Sequence, residues 1–345
     1  MAPDHGNARP AASISTGDRR VASTASNRWL FVAGKGGTVT STRELLHAPR
    51  VADSGASCVK CRVCGYADDG SDRAAFGSVR GNTRRFLGQQ FPLWKCPQCL
   101  SIHSLAPVDF SDIYSDYPLN QRRLDVFARG TLGNLLRRLV RAGLKKSDSI
   151  LDFGCGNGLF VQYLDERGYA NVTGYDPFVE TYAALDREAR FDCVVANDVI
   201  EHVGDPRELV AHCAELCRPG GLVYIGTADS EPVDMRKLEP HVMRLHQPFH
   251  RILLTQAGLT GLALESGLEL LQTYRRSYMD TFMPFANYRF LDEFNAALGH
   301  DMDRALDPAS ARIIARRPGL LLYALFGYFM PSAYEPAVLL RKPLR

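Results

Sequence analysis

The chain has 345 residues, 46% apolar and 23% charged, an ordinary globular composition that excludes a collagen-like, fully disordered or disulfide-scaffold protein. The formal net charge is +3 and the whole surplus falls in the first 57 residues, so the neutral remainder argues against a DNA partner. The first 30 residues hold no apolar leader core, and no apolar run reaches the ~18 residues needed to span a bilayer. A cytoplasmic protein is expected, its nine cysteines reduced and free to bind metal.

Residues 1–50 are rich in Ala, Ser, Thr, Gly and Arg, show no period, and are expected to be a disordered tail. Gly34, Gly36 and Gly37 around Lys35 lack the spacing of a phosphate loop. Residues 58–105 read as a small module with two CxxC pairs, Cys61 with Cys64 and Cys96 with Cys99. Each pair can offer two thiolates to a tetrahedral Zn²⁺, and four thiolates would close the shell and make the metal structural. Cys58 forms an overlapping pair with Cys61, His103 is a further donor, and buried thiols without metal or a redox pair are the competing readings.

Residues 106–147 connect this module to the next. Leu124, Phe127, Leu132, Leu135, Leu136 and Leu139 recur at helical spacing and predict one or two helices over 121–143. From 148 strands alternate with helices: strands at 149–153, 171–175, 191–196, 222–227 and 268–273, helices at 157–168, 178–188, 206–217 and 251–266. That alternation predicts an α/β core over 148–275, with a doubly wound, mostly parallel sheet. Residues 276–345 read as an insertion or lid without clear period, ended by a closing strand at 337–341. Within it 320–330 is apolar nearly all round. A buried helix over the last strands is favoured there, and a greasy lid or membrane-surface contact is the alternative.

The chemical signal lies in Ile150-Leu-Asp152-Phe-Gly154-Cys155-Gly156-Asn-Gly158, where a strand runs into glycines at alternate positions and then a helix. Without Cβ the chain can turn sharply and a ligand can lie against it. The carboxyl ends of such strands are where open α/β sheets bind ligands. The next strand ends Gly174-Tyr175-Asp176-Pro177, and a carboxylate there can accept hydrogen bonds from both hydroxyls of a ribose. A dinucleotide site wants G-x-G-x-x-G, whereas Leu159 occupies the last glycine's place, so the spacing fits a cofactor without pyrophosphate.

Together with 191–203 and the Arg218-Pro-Gly-Gly221 stretch, these segments resemble class I S-adenosylmethionine-dependent methyltransferases of Rossmann-like fold, over about 148–275. The resemblance implies methyl transfer from S-adenosylmethionine to a small-molecule acceptor such as a sugar, phenol or secondary metabolite. It places Asp152, Gly154, Cys155, Gly156 and Gly158 beside the methionine and ribose, and Asp176 with Pro177 at the ribose diol. The interval 177–190 is too short for the family's third strand, so Asn197 or Asp198 is expected to take over the adenine contacts. The cysteine module resembles the zinc ribbon that precedes some small-molecule methyltransferases, including certain sugar C-methyltransferases.

Methyl transfer from a sulfonium is an in-line displacement, for which the protein supplies alignment and desolvation. A hydroxyl acceptor must also lose a proton, which makes His202, His246 and His250 the catalytic candidates. Asp198-x-x-Glu201-His202 resembles the Glu-x-x-Glu-His stretch of quinone-biosynthesis O-methyltransferases, where such groups can hold a divalent cation. Loop capping, base catalysis and metal binding all stay open for His202. An NAD-linked oxidoreductase and a non-catalytic zinc-ribbon binding protein are the alternative functions.

Overall fold

The computed structural model describes residues 58–186, 188–331 and 335–344, so the tail expected over 1–50 lies outside the described residues. The first CxxC pair sits in a ribbon of two short antiparallel strands, β1 (Val59–Lys60) and β2 (Ala67–Asp68). An antiparallel meander follows, β3 (Phe76–Arg80), β4 (Gln90–Lys95) and β5 (Ile102–Ser104), with the second pair in the β4–β5 connection. Phe91 and Leu93 of β4 are buried while Gln90 and Pro92 are exposed, the period of two of a half-covered strand. Trp94 is fully buried, and its indole N–H donates to Asp68 Oδ2 at 3.3 Å.

Asp109 caps the short α1 (Phe110–Ile113), and Asp125 caps α2 (Val126–Arg141) by accepting from the Ala128 amide. Leu132, Leu135, Leu136 and Leu139 form the buried stripe of α2, as their spacing predicts. The chain continues through β6 (Ile150–Phe153), α3 (Leu159–Glu166), β7 (Val172–Tyr175), β8 (Phe191–Asn197), α4 (Pro206–Leu216) and β9 (Cys217–Gly226). Then come α5 (Val242–Leu245), β10 (Ile252–Leu253), α6 (Gln256–Glu265), β11 (Glu269–Tyr274), α7 (Tyr288–Ala297), α8 (Met302–Leu306), α9 (Arg312–Arg316), α10 (Gly319–Phe326) and β12 (Ala337–Arg341).

The six-stranded sheet runs β11-β12-β9-β8-β6-β7, parallel except for β12, which inserts antiparallel between β9 and β11. Alternate residues of β8 feed two cores. Val194 and Ala196 pack with Leu209 and Val210 of α4 and Leu259 and Leu262 of α6. Cys193 and Val195 pack with α2 and with Phe160 and Tyr163 of α3. Helices therefore cover both faces, the doubly wound arrangement.

The structure departs from the sequence expectations at five places. The helix expected over 178–188 is a single 3-10 turn, Glu180–Tyr182. The Asp176 amide donates back to the Tyr182 carbonyl at 2.9 Å, closing a loop beside β7, beyond which no further strand lies among the described residues. The helix expected from 251 begins at Gln256 under a Thr255 cap, because Ile252 and Leu253 are extended and pair with β5. Pro219-Gly220-Gly221 does not precede β9 but lies within it, where the register to β8 shifts. Residues 276–318 hold α7, α8 and α9, each too short for a clear period. The 320–330 run is not a buried helix over the last strands. Only Leu320 and Ala324 of α10 are buried, beside Phe290 of α7, because the helix uses one narrow stripe for packing.

Candidate active site

A cavity of about 860 Å³ opens at the carboxyl ends of β6, β7 and β8. One end is built by the glycine turn. Gly154 and Gly158 hold φ of +77° and +76°, and a Cβ would collide with Val199 at the first and with the Tyr182 ring and hydroxyl at the second. Gly156 opens onto the cavity. Asp176 closes the turn: its Oδ2 accepts from the Gly156 amide at 3.0 Å and its Oδ1 from the Phe178 amide at 2.9 Å. Burial raises its pKa and those two amides act against the rise. Asp152 is buried at the end of β6, and desolvation with the nearby Asp176 pushes it up to about 7. Cys155 and Pro177 line the same end.

Asn197 and Asp198 end β8. The Asn197 amide donates to Asp198 Oδ2 at 2.8 Å, and the Tyr278 hydroxyl donates to the same oxygen at 3.4 Å. Asp198 has φ of +57° and meets solvent through the cavity it lines. Surrounding protein desolvates it, and this, with Glu335 and Glu201 nearby, raises its pKa well above the ordinary range.

The three candidate histidines converge on another wall of the cavity. His202 and His250 rings lie 4.7 Å apart and His246 and His250 rings 5.1 Å apart. Burial pushes all three below the usual histidine range, His250 to about 4, so each is a neutral imidazole at pH 7. Their hydrogen bonds differ. His246 Nδ1 donates to Asn82 Oδ1 at 2.8 Å, and its Nε2 accepts from the Tyr117 hydroxyl at 3.3 Å. His202 Nδ1 pairs with the Tyr114 hydroxyl at 2.7 Å. His250 Nδ1 donates to the Arg244 carbonyl at 2.7 Å, which fixes the tautomer and leaves an acceptor lone pair on Nε2. Beside them Glu201 is buried, its Oε2 has no partner among the described residues, and desolvation pushes its pKa up to about 7. One donor atom each from Glu201, His202 and His250 lie within 4.8 Å of one another.

Sequence reading missed Tyr114 and Tyr117, which lie in the connecting segment 106–147. Tyr114 stacks on Phe178 at 4.3 Å and reaches His202, so it joins the two ends of the cavity. It also missed Asn82, Tyr278 and Glu335; none of these positions carries a period or a motif.

The histidine loop is tied to the cysteine-bearing strands. β10 continues the meander beyond β5, with Ile252 opposite His103. The Ser104 amide donates to the Arg251 carbonyl at 2.9 Å and the Ser104 hydroxyl to Gln247 Oε1 at 2.7 Å. The Arg251 guanidinium donates to Ser104 Oγ at 2.8 Å and to the Ala106 carbonyl. From the first knuckle, Arg62 donates to the Gly204 carbonyl at 2.6 Å, just after His202.

The sulfurs of Cys61, Cys64, Cys96 and Cys99 all lie within 4.8 Å of one another, with Cys61 and Cys99 at 3.5 Å and Cys64 and Cys96 at 3.6 Å. The Val63 and Cys64 amides point at the Cys61 sulfur, at 3.4 and 3.5 Å. Cys58 lies exposed outside the cluster, and His103 Nε2 stands 3.3 Å from the Cys61 sulfur.

Residues 124–273 match a family model described as a methyltransferase domain. A ubiquinone biosynthesis O-methyltransferase of Pseudomonas aeruginosa (strain UCBPP-PA14) is 33% identical over 115 residues, 27% of this chain and 49% of the relative. Its counterpart from Alkalilimnicola ehrlichii is 34% identical over 140 residues, 34% of this chain and 51% of the relative. The chain thus spans about half the length of the curated relatives it matches. A solved 1,6-didemethyltoxoflavin-N1-methyltransferase from Burkholderia thailandensis aligns at TM-score 0.39 and 17% identity, over 72% of this chain and 98% of that one. An S-adenosylmethionine-dependent methyltransferase from Mesorhizobium loti aligns at TM-score 0.34 and 17% identity, over 59% and 96%. Over residues 124–273, a little under half of its length, the chain is similar to methyltransferase domains.

Proposed function

We propose that the protein methylates a hydroxyl of a small-molecule acceptor, with His250 as the base. The observation that carries this reading is one cavity with the glycine turn and Asp176 at one end and a neutral, tautomer-fixed His250 at the other. S-adenosylmethionine supplies a methyl already activated on a sulfonium. Asp176 holds the ribose: each of its oxygens takes one amide and keeps a second lone pair for a ribose hydroxyl. Gly154, Gly156 and Gly158 let the backbone approach the cofactor, with Asp152, Cys155 and Pro177 around it. Asn197 and Asp198, expected at the adenine, line the same cavity.

In the reaction the acceptor oxygen attacks the methyl carbon as the carbon–sulfur bond breaks, and the oxygen's proton passes to His250 Nε2. His202 and His246, each held by a tyrosine, orient the wall around it. The cysteine cluster fits a structural Zn²⁺: its closest sulfurs approach the ~3.8 Å edge of a tetrahedron with ~2.3 Å bonds, and amides face the sulfur.

A second reading keeps the reaction and places a divalent cation among Glu201, His202 and His250. The unpartnered buried Glu201 oxygen favours it. Activity lost to a chelator and restored by magnesium would select this reading.

Thermal melting tests the proposal. S-adenosylhomocysteine is expected to raise the melting temperature and NAD to leave it unchanged; the opposite pattern would return the protein to the oxidoreductases. His250→Gln is expected to lower kcat by roughly a hundredfold or more with the S-adenosylhomocysteine affinity unchanged. Undiminished turnover in that variant removes His250 from the chemistry.

A further inference from the structure

We infer that the outer face of α10, with the aromatic cluster Phe282, Tyr328 and Phe329, docks the protein on an anionic lipid bilayer. This inference does not depend on the methyl-transfer reading. In α10, Leu322, Leu325 and Phe326 are each more than half exposed (52, 52 and 53%), and Leu321 is exposed beside them. Phe282 and Phe329 are the most exposed aromatic rings among the described residues, at 69 and 73%. They are gathered rather than scattered: Phe282 lies 3.8 Å from Tyr328 and 5.9 Å from Phe329, ring to ring. A contiguous apolar surface of this kind marks a contact that water does not satisfy.

Charge selects the occupant. Arg312, Arg316 and Arg317 are exposed immediately before α10 and form no ion pair among the described residues. From Gly319 to Met330 there is no acidic side chain. A twofold contact between two copies centred on α10 would bring two such arginine groups together with no carboxylate of the helix to pair them. A surface of phosphate headgroups accepts both features at once, arginines at the headgroups and Leu and Phe side chains below them. α10 has 8 residues, and no described helix is long and apolar enough to cross a membrane, so the helix lies along the surface.

The position relative to the cavity gives the contact a use. Phe290 of α7 packs on α10, while Tyr288, Arg289 and Asp292 of the same helix line the cavity. Docking face and cavity wall are two sides of one helix pair, so the contact sits beside the cavity.

Co-sedimentation of the full chain with vesicles tests this. Phosphatidylcholine vesicles containing phosphatidylglycerol are expected to pellet most of the protein, and pure phosphatidylcholine vesicles far less. Substituting Arg312, Arg316 and Arg317 with Gln is expected to weaken anionic binding by about a hundredfold. Leu322→Ser with Phe329→Ser is expected to weaken binding to both vesicles at least tenfold with little change in the melting temperature, since both side chains are more than half exposed. Protein that stays in the supernatant with both vesicles overturns the inference. So does a dimer in sedimentation velocity that the Leu322→Ser, Phe329→Ser variant dissociates, because the face would then belong to a second copy.

Discussion

Arg251→Met separates the two ends of the cavity. Arg251 is 2% exposed and no carboxylate among the described residues pairs with it; burial lowers its pKa to about 10, so it stays charged at neutral pH. Its guanidinium is held by Ser104 Oγ at 2.8 Å, the Ser104 carbonyl at 3.3 Å, the Pro248 carbonyl at 3.4 Å and the Ala106 carbonyl. Its own amide donates to the Glu201 carbonyl at 2.6 Å. Methionine fills most of the stem's volume and withdraws every side-chain donor. Orphaned buried acceptors cost roughly 1–3 kcal/mol each. Removing the cation also relieves several kcal/mol of desolvation, so the net loss is about 3 kcal/mol. At roughly 2–4 °C per kcal/mol for a large domain, the melting temperature should fall by about 10 °C. The glycine turn and Asp176 lie on β6 and β7, away from this network, so S-adenosylhomocysteine affinity by calorimetry should stay within about twofold while turnover falls at least tenfold through a displaced His250. A variant that melts within about 1 °C of the parent and turns over normally would refute the link between the cysteine-bearing strands and the histidines.

Asp176→Ala should weaken S-adenosylhomocysteine binding by a hundredfold or more, since it removes charge-assisted hydrogen bonds worth about 1.5–3 kcal/mol each; unchanged calorimetric affinity would remove Asp176 from the site. Asp152 tests the electrostatics through pH. Its folded pKa is raised to about 7, so between pH ~4 and ~7 the unfolded state releases a proton that the folded state keeps. From this group stability falls by about 1.4 kcal/mol per pH unit across that window and is flat above it. Asp152→Asn should therefore gain on the parent in urea unfolding as pH rises from 4 to 7, and a pH-independent difference would contradict the assignment. Atomic emission on protein folded with zinc should find one zinc per chain, and its removal by a chelator should lower the melting temperature, because Thr255 at the head of α6 donates to the Cys99 carbonyl and Arg62 donates to the Gly204 carbonyl. Metal-free protein with an unchanged melting temperature would leave the four thiols as an ordinary core.

The end of the cavity that sequence reading described well is local. From Ile150 to Gly158 the signal is carried by consecutive residues: a buried strand, then left-handed turns that glycine permits, then a helix. The same holds for the paired cysteines, whose spacing puts sulfurs and amides together within four residues. The other end is assembled from distant segments. His246 is held by Asn82 and Tyr117, His202 by Tyr114, and the loop between His246 and Leu253 by Ser104. No period or motif records such pairings, so the histidines were legible as candidates while their hydrogen bonds, and hence the choice of His250, were not. The missing helix over 178–188 and the late start of α6 have the same origin. Residues 178–188 have a helix-like composition, yet Tyr182 is drawn to the Gly158 turn and no further strand lies beyond β7 among the described residues. Residues 252–253 are apolar enough for either state, and the free edge of β5 decides it. The strand that spoils the expected helix is the one that fastens the histidine loop to the cysteine-bearing strands, so the place where local propensity loses is the place where the acceptor side of the cavity is positioned.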